Sequence, residues 1–291
     1  MSFIDAIILG IVQGLTEFLP VSSSGHLALY EMVTGRATPG GLAFDVILHI
    51  GTLAAVCVAF WNDLKAVTSE FIKLVWLLIC RKRSLREPPA RRMVKLIIIS
   101  LLPLPLLIFF RDAADVMRSP IIIGFALLVT GTLLLSADRA PDGKKTEMTT
   151  RWYDALIIGI VQLTAAIFPG LSRSGSTIST GLMRGFNRTY AFRFSFLMSI
   201  PTVFAATIFE LYEWLTMTAD HPRYYATPAL SSIWGQAIVG VFIAGVVGYF
   251  AIALLRMLVK SKKFGGFAYY CFAVGGLAII GGITGILYTV S

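Results

Sequence analysis

Two short polar stretches hold the side chains that could do chemistry in this chain. The first begins at Gln13, passes Thr16 and Glu17, and ends in PVSSSGH, which supplies Ser22, Ser23, Ser24 and His26. The second follows Gln162 and reads PGLSRSGST, 169–177, with Ser172, Arg173, Ser174, Ser176 and Thr177. Gln13 and Glu17 stand four residues apart and share a helix face. Ser-Arg-Ser-Gly after a Pro-Gly break puts backbone N–H groups at a helix start beside hydroxyls and a guanidinium, and that combination suits phosphate. A carboxylate, an imidazole and an arginine in converging segments point to phosphoryl chemistry. Zinc patterns of the CxxC or HExxH type, a GxxxxGK phosphate loop and a GxSxG elbow are all missing from the sequence.

The elements that must position these groups are membrane helices. The chain of 291 residues is 56% hydrophobic and only 14% charged, with a mean hydropathy of +0.78, whereas a soluble domain carries roughly 25% charged residues. Apolar runs of about 20 residues recur from end to end, which predicts an all-α polytopic membrane protein. Disorder, a small disulfide scaffold and a water-soluble enzyme are excluded. One integral domain over 1–291 is expected. The net charge of +9 is explained by basic loops that hold the spans in place, so nucleic acid is not an expected partner. Cys57, Cys80 and Cys271 lie in or beside apolar runs and read as packing residues. Met1 to Ile11 lacks a basic n-region and a cleavage site, so no signal peptide is expected. Polar side chains inside such a domain are costly and face cavities, which singles out the two stretches above.

An internal repeat organises the chain. DAIILGIVQGLTEFLP, 5–20, aligns with DALIIGIVQLTAAIFP, 154–169, at an offset of 149; beyond the proline the offset is 150, so that SSSG at 22–25 faces SRSG at 172–175 and HIGT at 49–52 faces SIPT at 199–202. The halves are 1–140 and 150–291. Each opens with an apolar stretch of about 15 residues, too short to span, that halts at Pro20 or Pro169. A re-entrant hairpin lining a protein cavity is expected there. Crossings are expected at 43–62, 94–110, 119–137, 191–212, 233–255 and 267–290. Six crossings plus two re-entrant hairpins, three crossings per half, make the second half inverted relative to the first. Segment 64–80, with Lys65, Glu70 and Lys73, reads as an interfacial helix. His49, in the apolar run FDVILHIGT, reads as a packing residue, and the Gly-rich 273–285 as a place of close helix approach.

Charge supports the same layout. Segment 81–95 holds seven Lys or Arg, 138–151 and 256–263 hold four each, and 184–193 holds three, all on one side in this arrangement. The opposite segments hold only Arg36, Arg111, Arg118 and Arg223. Both termini and the first hairpin are therefore expected outside the cytoplasm, with the second hairpin opening from the cytoplasmic face.

QGLTE, 13–17, with the following FLPVSSSGH, and PGLSRSGST, 169–177, resemble the paired motifs of the undecaprenyl-pyrophosphate phosphatase family associated with bacitracin resistance. The resemblance covers essentially the whole length. It implies a multi-pass enzyme of the bacterial inner membrane that hydrolyses a polyprenyl pyrophosphate to the monophosphate and so feeds peptidoglycan synthesis. It also implies a divalent cation, Mg2+ or Ca2+, and a site open to the periplasm. Carried over by position, Glu17, Ser23, His26 and Arg173 form the catalytic group. Ser22, Ser24, Ser172, Ser174 and Thr177 would bind phosphate, Glu17 would hold metal, and Gln13 would support it. The family's first motif begins with Glu or Gln; with Gln13 here, Glu17 is its only carboxylate. Besides the lipid substrate, membrane lipids are the expected partners, and a homodimer is compatible with the pattern. His26 could protonate the leaving phosphate, orient water or attack phosphorus, and Ser23 is the alternative nucleophile. A transporter or flippase is the rival class, because inverted repeats with broken helices are transporter architecture.

Overall fold

A computed structural model describes residues 2–34, 41–81, 87–110, 117–216 and 234–287. Among them are eleven α-helices and no strand, apart from one isolated bridge between Lys145 and Phe186. In chain order the helices are α1 Phe3–Phe18, α2 Ser23–Thr34, α3 Gly41–Ala59, α4 Trp61–Ile79, α5 Pro89–Leu101, α6 Pro120–Arg139, α7 Trp152–Ile167, α8 Arg173–Met183, α9 Arg188–Thr216, α10 Trp234–Lys260 and α11 Gly266–Ile283.

Among the described residues, five helical stretches are long and apolar enough to cross a membrane: Pro89–Phe110, Pro120–Arg139, Arg188–Phe209, Trp234–Lys260 and Gly266–Ile283. The first reaches that length because α5 continues into a tighter 3₁₀ segment, Leu104–Phe110, beyond Pro103. A sixth candidate is α3 with α4, which pass together and are bent by 89°. The expected crossing 43–62 thus ends at Ala59, and the charged segment 64–80 leaves it almost at a right angle. On α4, Glu70 pairs with Lys73 at 2.8 Å and with Arg91 of α5 at 2.9 Å. The last expected crossing, 267–290, is helical only to Ile283, followed by a turn. Arg36, Arg111, Arg223 and residues 288–291 lie outside the described residues.

Both short apolar helices stop where proline dictates. The residue before a proline is pushed out of the helical region: Leu19 caps α1 at ψ 145° and Phe168 caps α7 at ψ 102°. α1 starts with a capping box in which Ser2 and Asp5 exchange bonds of 2.9 and 3.1 Å. The chain then turns through a left-handed residue in each case, Ser22 at φ 72° and Gly170 at φ 96°, and a second short helix begins. These helix-break-helix units touch each other directly. A Cβ on Gly25 would lie 2.8 Å from the Gly170 Cα, so only glycine lets the two turns meet.

Around this centre α1 packs on α10, α3 on α9 and α10, α7 on α5, and α6 on α11. The α6–α11 seam brings Gly124 and Gly275 so close that a Cβ on either would meet the other's carbonyl within 3 Å, which bears out the Gly-rich segment as a close-approach surface. The three cysteines are free, and the Cys271 thiol sits 3.6 Å from the Pro20 carbonyl.

The basic segments converge. Arg188 bridges Asp138 and Asp142, Lys262 reaches Asp142 at 2.6 Å, and the Arg92 guanidinium donates to the Thr150 carbonyl at 2.9 Å. Segments 81–95, 184–193 and 256–263 thereby each touch segment 138–151. Asp142 is fully exposed, and its hydrogen bonds from Lys262 and then Arg188 hold its carboxyl below the usual range.

Candidate active site

Glu17 is the hub of the polar centre. It lies in the last turn of α1, 8% exposed, because the helix stops one residue later and leaves its side chain between the two turns. One carboxylate oxygen accepts from the Arg173 guanidinium on α8. The other accepts from the Ser23 hydroxyl at 2.7 Å and from the Gln13 amide, one turn back, at 3.3 Å. The i, i+4 spacing read from the sequence thus becomes a contact, and the two motifs, 156 residues apart, meet in an ion pair. Removing one partner of such a pair leaves an uncompensated buried charge, at a cost of roughly 3–5 kcal/mol.

A narrow cavity adjoins this pair, lined by Glu17, Phe18, Arg173, Ser174, Ser195 and Phe196, with Ser199. Ser174 is the only one of the predicted phosphate-binding serines on that lining. Its hydroxyl reaches the Leu19 carbonyl at 3.4 Å.

The remaining predicted serines and Thr177 hold the frame. Ser172 caps α8 by accepting from the Gly175 N–H at 3.1 Å, and Ser22 does the same for α2 by accepting from the Gly25 N–H at 3.3 Å. Each also touches the serine two residues on, Ser174 at 3.3 Å and Ser24 at 3.4 Å. Ser22 additionally accepts from the Gly170 N–H at 3.1 Å, tying the two turns together. Thr130 of α6 donates to the Gly170 carbonyl at 3.1 Å and accepts from the Ser172 N–H at 3.0 Å. Thr177 donates to the Arg173 carbonyl at 2.8 Å and meets Ser195 at 2.6 Å. Helix α8 therefore satisfies part of its own N-terminus, and the backbone donors expected for phosphate are partly spent within the turn.

His26 is not joined to the Glu17–Arg173 pair by any described contact. Its Nδ1 is 2.8 Å from the Ser22 carbonyl and its Nε2 2.8 Å from the Tyr270 hydroxyl, with the two rings stacked at 5.6 Å. A carbonyl only accepts, so in the neutral ring Nδ1 carries the proton and Nε2 accepts from Tyr270.

The chain matches the family described as Bacitracin resistance protein BacA over residues 6–277. The chain belongs to the BacA family. Curated relatives include a protein of Methanosphaera stadtmanae, 40% identical over 287 residues that cover 96% of this chain and 98% of the relative. Another is from Alkaliphilus metalliredigens, 40% identical over 282 residues with 96% and 98% covered. A third, from Nocardioides sp., is 36% identical over 289 residues with 99% of both covered. All three are named undecaprenyl-diphosphatase.

In this BacA-family site the sequence reading missed three residues on the helices that follow the turns. His49 of α3, read as packing, has its Nε2 3.9 Å from Glu17 Oε2. Ser195 and Ser199 of α9 line the cavity. The repeat carried the signal, since the offset of 150 pairs His49 with Ser199.

No three His, Cys, Asp or Glu side chains among the described residues could hold a metal by themselves. Magnesium is commonly held by one or two carboxylates together with substrate phosphates. Glu17 fits that partial set, and the amide oxygen of Gln13, fully buried without a partner, offers a further donor. The residues fit an ion that arrives with a phosphorylated substrate.

Proposed function

We propose that the protein hydrolyses undecaprenyl pyrophosphate to undecaprenyl phosphate and inorganic phosphate, recycling the lipid carrier. Family membership and the printed name of its relatives support this activity. The 2.7 Å hydrogen bond from Ser23 to Glu17 carries the mechanism, because it is a nucleophile and a base already at proton-transfer distance.

The steps follow from these contacts. Substrate pyrophosphate draws Arg173 from Glu17 onto its own oxygens, since a guanidinium forks onto phosphate as readily as onto carboxylate. The carboxylate so released takes the Ser23 proton as Oγ attacks the terminal phosphorus. The bond to the bridging oxygen breaks, and undecaprenyl phosphate leaves. Water then attacks the phosphoserine while Glu17 returns its proton to the Ser23 oxygen, giving inorganic phosphate and restoring both Ser23 and the Glu17 carboxylate. His26, one turn along α2, supplies or collects the proton at the departing phosphate when Tyr270 releases its ring. A divalent ion held by Glu17 and Gln13 would neutralise pyrophosphate charge in the transition state.

The finer architecture is part of the same proposal: six crossings, two re-entrant units, inverted halves 1–140 and 150–291, the bacterial inner membrane, and a cavity open to the periplasm. The matched caps of the two turns and the convergence of the basic segments support it. Cysteine labelling from outside should reach residues 2–4 and spare 87–92; a protected N-terminus would overturn the orientation.

The activity is tested with full-length protein in detergent and a polyprenyl pyrophosphate. An enzyme releases phosphate with no membrane to cross, whereas a transporter releases none. Acid quenching should trap a phosphoserine in the wild type and none in Ser23→Ala; full turnover by that variant would remove Ser23 as nucleophile.

A further inference from the structure

A second, basic pocket lies on the other side of an aromatic wall from the Glu17 cavity. Helix α9 contributes to both. Ser195, Phe196 and Ser199 line the Glu17 cavity, while Phe192 and Arg193, about one turn nearer the helix start, line a separate pocket with Phe60, Asp63, Arg256 and Lys260. The wall between them is built of stacked rings. Phe18 meets Phe196 at 5.7 Å, Phe60 meets Phe196 at 5.4 Å, and Phe192 meets Phe196 at 4.5 Å.

The charges of the second pocket are unbalanced. Its lining holds four cations, Arg188, Arg193, Arg256 and Lys260, against one carboxylate, Asp63. Two of the cations are committed: Arg188 to Asp138 and Asp142, and Arg193 to Asp63 at 2.7 Å and Glu147 at 3.5 Å. Arg256 and Lys260 meet no carboxylate among the described residues. The Arg256 guanidinium carbon lies 5.2 and 5.6 Å from the ring centres of Phe60 and Phe192, and the side chain makes a single long bond to the Ala59 carbonyl at 3.4 Å. Two aromatic neighbours hold the cation in place, and its remaining N–H donors, apart from the one on the Ala59 carbonyl, have no acceptor among the described residues. The Arg193 Nε is buried without a partner, a second donor in want of an acceptor. Thr189 adds a hydroxyl to the same lining.

We propose that this pocket binds a phosphate-bearing anion, gripped by Arg256 and Lys260 and separate from the catalytic cavity. A planar cation held on aromatic rings, an ammonium one turn on and a hydroxyl make the donor set of a phosphate group, and basic pockets between membrane helices take phosphorylated headgroups. A lipid headgroup and free inorganic phosphate share this chemistry.

The test uses full-length protein in a neutral detergent, titrated calorimetrically with dihexanoyl phosphatidic acid, with dihexanoyl phosphatidylcholine as control, and with inorganic phosphate. The expected result is saturable binding that weakens about tenfold or more in R256Q/K260Q and by about threefold in K260Q, an exposed position where folding is not at stake. R173A should keep the binding that depends on Arg256 and Lys260 and lose only the phosphate that the catalytic cavity itself takes. Binding of phosphatidic acid that inorganic phosphate cannot displace assigns a lipid headgroup; binding of inorganic phosphate with the same dependence on Arg256 and Lys260 assigns the free anion. The proposal is overturned if neither anion saturates, if R256Q/K260Q with an unchanged melting curve binds as tightly as the wild type, or if R173A abolishes binding.

Discussion

The two helix-break-helix units share one frame and differ in the groups mounted on it. Gln13 and Gln162, Pro20 and Pro169, Ser22 and Ser172, and Gly25 and Gly175 are equivalent by the repeat, and the cap bonds of Ser22 and Ser172 are the same bond made twice. Where the frame agrees, the residues hold turns. Where it disagrees, the groups of the polar centre appear: Glu17 stands opposite Ala166, and Ser23 opposite Arg173. The first unit supplies a carboxylate and a hydroxyl, the second a guanidinium, and the polar centre needs both. The matched residues form a shared scaffold, and the differences at these positions give it a polar axis. The glutamines divide in the same way: Gln13 serves Glu17 at 3.3 Å, whereas Gln162 is turned to Thr202 at 3.0 Å.

The largest effect expected from breaking this asymmetry is at Glu17. Glu17→Gln keeps the shape but cannot accept the proton and brings no negative charge to a metal, so phosphate release should fall by about 10³ or more, with melting changed less than activity. Turnover within a few-fold of wild type would make Glu17 structural. Arg173→Lys comes next. An ammonium supplies charge without the fork, and the loss in kcat/KM should be about 10²–10⁴, nearly that of Arg173→Ala. Near-wild-type turnover by the lysine variant would show that Arg173 merely pairs with Glu17.

Residues common to both units should show the opposite signature. Ser22→Ala removes the acceptor for the Gly25 and Gly170 N–H groups and should cost about 1–3 kcal/mol of stability while kcat stays within a few-fold. A variant that melts normally yet loses substrate affinity would return Ser22 to the phosphate site. Gln13→Ala should be mildest, about tenfold or less in activity, because an amide cannot act as base. A rise in the concentration of divalent cation needed for half-maximal activity would confirm its oxygen as a metal donor.

Composition and proline placement were sufficient for the helices. Apolar runs have no alternative to helix in a bilayer, and a proline after 15 or so apolar residues ends α1 and α7 whatever surrounds them. The repeat also announced which polar residues matter as a set. It could not divide them, because serines at positions 22, 23 and 24 look alike in sequence while the Ser22 hydroxyl accepts from backbone amides, the Ser23 hydroxyl donates to a carboxylate and the exposed Ser24 reaches only Ser22. That division depends on the left-handed Ser22 and on the close approach of Gly25 to Gly170, which rotate Ser23 toward Glu17. His49 was hidden for the same reason: its apolar neighbours describe the helix it sits on, whereas its distance from Glu17 is set by how α3 packs beside α1. Local sequence fixes where a chain breaks and caps. Which side chain faces which, across 156 residues of separation, is decided only when the two turns close against each other and desolvate the charges between them.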